Sequence, residues 1–253
     1  MTTLAIPFTP PTALPADAAP TDPAALFGIM STARAMRHLA TDPVPDDLLR
    51  QLIQAAVWAP TGSNQQGQTF IVITDRAQIA RLATLWRQVV ADFRAGLRAA
   101  HAEHDDPASV RIRAAVDYQQ DHFEATPVVI VACYDLGAQK GIQRRPATVL
   151  RLLRDVGLRR WVRLARGAGT WAERSEAASI LPGVENILLA ARALGLGACL
   201  TTWHLLAEDE LKSILGIPPR VDTYAVIPVG WPTRPFGGVK RNAVDLAIHR
   251  DRW

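Results

Sequence analysis

Three short apolar runs constrain this chain most: Thr69–Thr74, Pro127–Tyr134 and Thr223–Val229. Runs of this length, rich in β-branched residues, read as strands buried on both faces, because a helix needs more residues and a 3.6-residue period. The segments between them have that period. Leu48, Leu49, Leu52, Ile53 and Val57 form one stripe over Pro45–Trp58, with Pro45 in the first turn and Asp46 and Asp47 at the positive end. Pro23–Thr32 predicts another helix, and residues 76–123 predict two, parted near Asp106 and Pro107. Ser179–Leu194 predicts a long apolar helix stopped by Gly195, and Glu208–Leu215 a short one. Gly197–Thr201 adds a further strand. More helix than strand around a small sheet gives an α+β or α/β layer fold. Nothing separates two cores, so residues 24–253 read as one domain.

Several functions are excluded on the same grounds. Met1–Pro23 holds six prolines and no Lys or Arg, which predicts an extended arm and not a secretory signal. Every apolar run is broken well short of the roughly 18 to 20 residues of a membrane span. Cys133 and Cys199 are too few and too far apart for a disulfide scaffold or a zinc ribbon, and both sit in apolar stretches that suit core packing. An intracellular, cytoplasmic protein is expected. His101 and His104 share a helical face without further ligands, so no metal site is expected. Gly195-Leu196-Gly197 has Leu200 at the third glycine position and follows a helix, the wrong order for a dinucleotide turn. No phosphate loop, nucleophile elbow or triad occurs, and no catalytic side chain is named.

Three polar segments remain that packing does not demand. Thr32–His38 carries Arg34 and Arg37, either a solvated basic turn or an anion site, since guanidinium groups suit phosphate. Ala59–Gln66 crowds amide and hydroxyl side chains after an apolar helix, which suits hydrogen bonding to a heteroaromatic edge or a plain loop. Val239–Asn242 places Lys240 and Arg241 near the chain end.

Taken in order, these segments resemble the nitroreductase family of flavoproteins. The likeness covers about residues 24 to 253 without roughly 135 to 178. It rests on Arg34-x-x-Arg37 with Thr41-Asp42-Pro43-Val44-Pro45, and on Ala59-Pro60-Thr61-Gly62-Ser63-Asn64-x-Gln66. It continues through Ala178–Ala191, Leu194–Gly197, Ile227–Pro232 and His249–Trp253. The resemblance implies an α+β three-layer fold, a small mixed or antiparallel sheet flanked by helices, in an intertwined homodimer with FMN at the subunit interface. It implies that Arg34, Arg37 and Arg241, with Lys240 nearby, meet the FMN phosphate and ribityl chain beside Ala35 and Met36. Pro60, Thr61, Gly62, Ser63, Asn64 and Gln66 would line the isoalloxazine or ribityl side, and Leu200, Thr201 and Thr202 would cover the ring. Where the family often has a basic residue and a serine, this chain has Ala33 and Ala35, and where it often has Pro-Trp, Gly67-Gln68.

The implied activity is an FMN-dependent oxidoreductase that takes hydride from NAD(P)H at flavin N5 and passes it to a nitroaromatic- or quinone-like acceptor in a ping-pong cycle. Other reductive chemistry (dehalogenation, flavin fragmentation), a deazaflavin in place of FMN, and flavin or anion binding without turnover are the alternatives. Flavin and solvent carry the protons in such chemistry.

The net charge of +4 is unevenly spread. Residues 140–166 hold Lys140 and eight arginines against Asp155, so this stretch is strongly basic and the remainder mildly acidic. Within an insertion at about 135–178, Val149, Leu152, Leu153 and Val156 share one helical face, and Leu158, Trp161, Val162 and Ala165 share another after Gly157. Two short amphipathic helices hinged at Gly157 are expected. They suit a basic surface cap, a lid over the flavin that attracts anionic ligands, or a contact with nucleic acid or anionic lipid. The bulk charge gives no reason to expect nucleic acid as a partner.

Overall fold

The computed structural model describes residues 23–100, 106–135, 154–155 and 157–253. Its elements are α1 (Pro23–Met30), α2 (Asp46–Val57), β1 (Gln68–Ile73), α3 (Arg76–Ala99), α4 (Pro107–His122) and β2 (Val128–Tyr134). They continue with α5 (Leu158–Ala193), β3 (Gly197–Ala198), α6 (Glu208–Leu215) and β4 (Asp222–Gly230). The strands form one sheet in the order β1-β2-β4-β3, antiparallel at every pairing.

β2 is buried at every position, and its side chains divide by the two-residue period of a strand. Val128, Ile130, Ala132 and Tyr134 pack with Leu49 and Leu52 of α2 and Ile180, Val184 and Ile187 of α5. Val129, Val131 and Cys133 face the other way, onto Ile79 and Leu82 of α3 and Leu211 of α6. Two covered faces explain the unbroken apolar run, since each buried Val, Ile or Leu side chain contributes about 1.5–3 kcal/mol. The result is the three-layer α+β arrangement expected, helices over both faces of a small sheet.

β1 corrects one expectation. Its run reads as a buried strand, but it lies at the sheet edge, where only Ile73 is buried and Val72 is 38% exposed. An edge strand has one paired neighbour, and here the helix layers cover it incompletely. Val57, counted in the apolar stripe of α2, is also exposed. β3 is shorter than expected, two residues followed by a bridge from Thr201 to Val226.

The helix expected from Ser179 begins instead at Leu158. Leu158, Trp161, Val162 and Ala165 therefore open α5 and do not form a separate short helix. Gly157 precedes it with φ 76°, a left-handed turn that breaks the chain there. Pro182 lies inside α5 and forfeits one backbone hydrogen bond. The helix carries on because it is held on both sides of that point, by the loop after α2 before it and by α2 itself beyond it. Ser179 accepts a hydrogen bond from the Gly62 N–H at 3.1 Å, and Asn186 Nδ2 donates to the Ala55 carbonyl at 2.9 Å, near the end of α2 where carbonyls lack helical partners. At the crossing, a Cβ on Gly183 would lie 2.9 Å from the Ala56 carbonyl oxygen. Gly183→Val is expected to cost about 3 kcal/mol through overpacking against backbone that cannot yield. Chemical denaturation should show the loss as a lower midpoint with an unchanged slope.

The arm before Pro23, the pair His101 and His104, the cations Lys140, Arg144, Arg145 and Arg151, and the face Val149, Leu152, Leu153 and Val156 lie outside the described residues. Among those described, no helix is long and apolar enough to cross a membrane, and no group of His, Cys, Asp and Glu is arranged to hold a metal.

Candidate functional site

After α1 the chain runs without helix from Ala33 to Leu39, clamped by its neighbours. The Met36 N–H donates to Ala198 at 2.9 Å, Ala40 to Trp231 at 2.8 Å, and Thr233 to His38 at 3.0 Å. Leu39 also bridges to Pro232. The arginines three apart would share a face in a helix; in an extended segment they diverge. Arg34 lies in one cleft and Arg37 in another.

The Arg34 cleft, about 220 Å3, is closed by three elements. The tail returns to α1 through the Val239 N–H, which donates to the Ser31 carbonyl at 2.9 Å and brings Arg241 alongside Arg34. α5 supplies Arg192, whose Nε donates to Thr32 Oγ1 at 2.9 Å while its guanidinium lies 4.1 Å above the Phe236 ring. Leu188, Leu196 and Leu200 form the apolar wall, and Ala33 and Ala35 open space beside it. Glu185 is the one acid among the lining residues. Three guanidinium groups against one carboxylate leave two positive charges, a match for a phosphate monoester of about −1.5 to −2. The donor set therefore fits the FMN phosphate, with apolar surface beside it.

Arg192 and Phe236 are absent from the sequence-based site. Arg192 could have been found: Glu185, Leu188 and Arg192 recur at helical spacing on one face of α5, just past the stretch that resembles the family. Phe236 lies in an irregular tail that carries no periodic signal.

The other expected residues are distributed as follows. Met36 is buried in the core, and Lys240 is exposed, its carbonyl accepting from Arg241 Nη1 at 2.9 Å. Thr201 is buried, its hydroxyl donating to the Val226 carbonyl at 2.9 Å, while Thr202 is exposed. Pro60, Gly62, Ser63, Asn64 and Gln66 are exposed, and Thr61 is half-buried. Ser63, Asn64 and Gln66 all have φ near +50°. A left-handed conformation costs a non-glycine residue about 1–2 kcal/mol, so this loop is held against its local preference. What holds it is the bond from Gly62 to Ser179, one from the Gln66 N–H to Thr61 Oγ1 at 3.0 Å, and Gly67. A Cβ at Gly67 would fall 2.9 Å from the Tyr134 ring. Gly67 thus lies flat against Tyr134, and the following Gln68 donates to the Ala59 carbonyl at 3.2 Å, giving this chain's departure from Pro-Trp a packing reason.

The loop meets α5 at Ser179, and the cleft meets it from Glu185 to Arg192, six to thirteen residues on. At 1.5 Å per residue the cleft begins about 9 Å along the helix from the loop contact, and Arg192 lies about 20 Å from it. The loop and the cleft therefore meet α5 at different points.

Both cysteines are buried. Burial pushes the Cys133 thiol up to about 12. Burial also raises Cys199, although Arg37 and Gln119 nearby favour its thiolate. Neither is an activated nucleophile.

The profile described as Nitroreductase family matches residues 30–231. A Thermus thermophilus protein named NADH dehydrogenase is 29% identical over 215 residues, covering 79% of this chain and 82% of that one. Among solved structures, a BluB-like flavoprotein from Clostridium difficile shares 18% identity with a TM-score of 0.65, over 88% of this chain and 97% of its own. An iodotyrosine deiodinase bound to FMN and 3-iodo-L-tyrosine shares 16% identity with a TM-score of 0.61, over 90% and 99%.

Proposed function

The chain belongs to the nitroreductase family, and on that premise we propose that it is an FMN-dependent NAD(P)H oxidoreductase that reduces nitroaromatic- or quinone-like acceptors. The observation that carries the reading is the convergence of Arg34, Arg192 and Arg241, from three distant parts of the chain, on one cleft with an apolar wall. The name of the Thermus thermophilus relative and the FMN bound in the deiodinase structure support the reductant and the cofactor.

Arg34 and Arg241 hold the phosphate, and Arg192 adds a third guanidinium whose direction is set by Thr32 and Phe236. Leu188, Leu196 and Leu200 give the cleft an apolar wall beside the arginines. FMN held there would supply the two-electron redox chemistry that links NAD(P)H to the acceptor in a ping-pong cycle. No side chain is assigned a proton-transfer role.

The Ser63–Gln66 loop completes the site from a second copy of the chain. Its separation from the arginine cleft along α5 supports this, as does the apolar surface left uncovered. α1 buries none of its residues, with Leu26, Phe27 and Met30 exposed, and Trp58 and Leu246 are each 74% exposed. Exposed apolar surface of this extent suits a subunit interface.

The purified protein is expected to be yellow, to release FMN on denaturation, and to bleach on anaerobic addition of NADH or NADPH. Colour should return with a nitroaromatic or a quinone, and light scattering should read twice the mass of 27.6 kDa. A colourless protein that reconstitutes with no flavin would sink the assignment.

A further inference from the structure

The second cleft lies across the Arg34–Arg37 segment from the first. It encloses about 300 Å3 and is lined by Arg37, Arg111, Ile112 and Ala115, with no acid among the lining residues. Arg37 comes from the clamped segment after α1, and the others from α4. Arg111, Ala115 and Gln119 recur every four residues, so they run along one face of α4 toward that segment. Gln119, 6% exposed, accepts from Arg37 Nε at 3.0 Å and sets the guanidinium's direction. α4 is fastened there a second time by His38, whose ring lies tilted against Tyr118 with ring centroids 3.7 Å apart.

Neither arginine is neutralised. Arg37 has no ion pair among the described residues, and Arg111 has neither a hydrogen bond nor an ion pair. Two guanidinium groups on separate elements, in a cleft also lined by the exposed side chain of Ile112, make a concave site for a small anion attached to an apolar body. The site also adjoins the cofactor cleft. Arg34 lines the first cleft and Arg37, three residues on in the same extended segment, lines the second.

We propose that Arg111 and Arg37 form an anion subsite that binds the negatively charged group of a molecule reacting at the flavin. The inference rests on the flavoenzyme reading above. A carboxylate on the acceptor and a phosphate on the nicotinamide reductant share this chemistry, and kinetics with charged and uncharged acceptors tell them apart.

The test uses the flavin-loaded protein, Arg111→Gln, and 4-nitrobenzoate beside its uncharged relative 4-nitrobenzamide. Loss of one charge-assisted contact is expected to raise KM for 4-nitrobenzoate about ten-fold, leaving flavin content and KM for 4-nitrobenzamide unchanged. Arg111→Lys should recover most of the difference, because it keeps the charge. Benzoate, which is not reduced, should perturb the flavin spectrum of the parent with an affinity that falls at high salt and in Arg111→Gln. If instead KM for NADH or NADPH rises while both acceptors are unaffected, the subsite holds and its ligand is the reductant phosphate. Unchanged constants for every substrate would overturn it. So would an equal loss for both acceptors with loss of flavin, which marks a structural role. A parent protein that binds no flavin fails the earlier reading and not this one, and benzoate binding to that protein, followed by calorimetry, then carries the comparison.

Discussion

Arg34→Ala combined with Arg241→Ala is expected to weaken FMN binding at least about 100-fold. Hydrogen bonds to a charged group contribute about 1.5–3 kcal/mol each, and the two side chains come from opposite ends of the chain onto one cleft. Removing them leaves Arg192 facing Glu185 in the same cleft, which supplies little net positive charge for a phosphate. Neither arginine is part of the hydrophobic core, so far-UV and near-UV dichroism of the protein should be retained while flavin is lost on gel filtration. Titration with FMN, followed by quenching of flavin fluorescence, gives the affinity directly. Tight retention of FMN by the double variant would place the phosphate elsewhere. Lys240, exposed and pointing its carbonyl and not its charge at Arg241, should matter much less than its neighbour.

The second large effect concerns His204, in the turn Trp203–Leu206 between β3 and α6. It is 3% exposed, and neither ring nitrogen has a hydrogen-bond partner among the described residues. Its surroundings are apolar, with Trp86, Phe123 and Leu211 lining the same small cavity. Burial lowers its pKa to about 4, with Glu208 pulling weakly the other way. The folded protein therefore keeps this ring neutral, whereas the unfolded chain binds a proton near the ordinary value of about 6.5. Because the unfolded state binds more protons in that window, stability is full above pH 6.5 and declines as pH falls toward 4. The expected loss is about 3 kcal/mol. Glu208 is a distinct case: burial raises its pKa, but hydrogen bonds from Thr223 and the Lys212 ammonium lower it further. Its contribution is lost only below the ordinary carboxylate range, so the interval from 6.5 to 4.5 belongs to the histidines whose pKa is lowered, His204 with the large shift and His38 with it. Urea midpoints measured at pH 7 and pH 4.5 should differ accordingly, and His204→Phe should flatten the difference. A variant as acid-sensitive as the parent would show that another group titrates there.

Much of the fold was legible in the sequence because the periods are clear. β2 and β4 are covered on both faces, and their runs are apolar without interruption. α2 lies within a residue of the Pro45–Trp58 span expected for it, and α6 occupies the expected Glu208–Leu215. The misjudged elements are those whose boundaries depend on neighbours. β1 has an apolar run like the others, but only sheet order shows that it lies at the edge. α5 continues through Pro182 because α2 supports it from outside, through Asn186 and the close approach at Gly183.

For the site, residue types were legible and their grouping was not. Arg34 and Arg241 stand out as cations without an evident packing role, and the crowded polar loop after Pro60 stands out likewise. By itself the sequence determined the helix and strand periods, the two-sided sheet and a supply of arginines suited to an anion, since these depend on spacing within a few residues. Only the tertiary structure decided that Arg34 and Arg37 line different clefts, that Arg192 and Phe236 complete the first, that Arg37 and Arg111 line a second, and that the strained loop meets α5 at Ser179, about 20 Å along the helix from Arg192. Those relations join segments up to about two hundred residues apart. They follow from how helices cross and clamp, which no local spacing encodes.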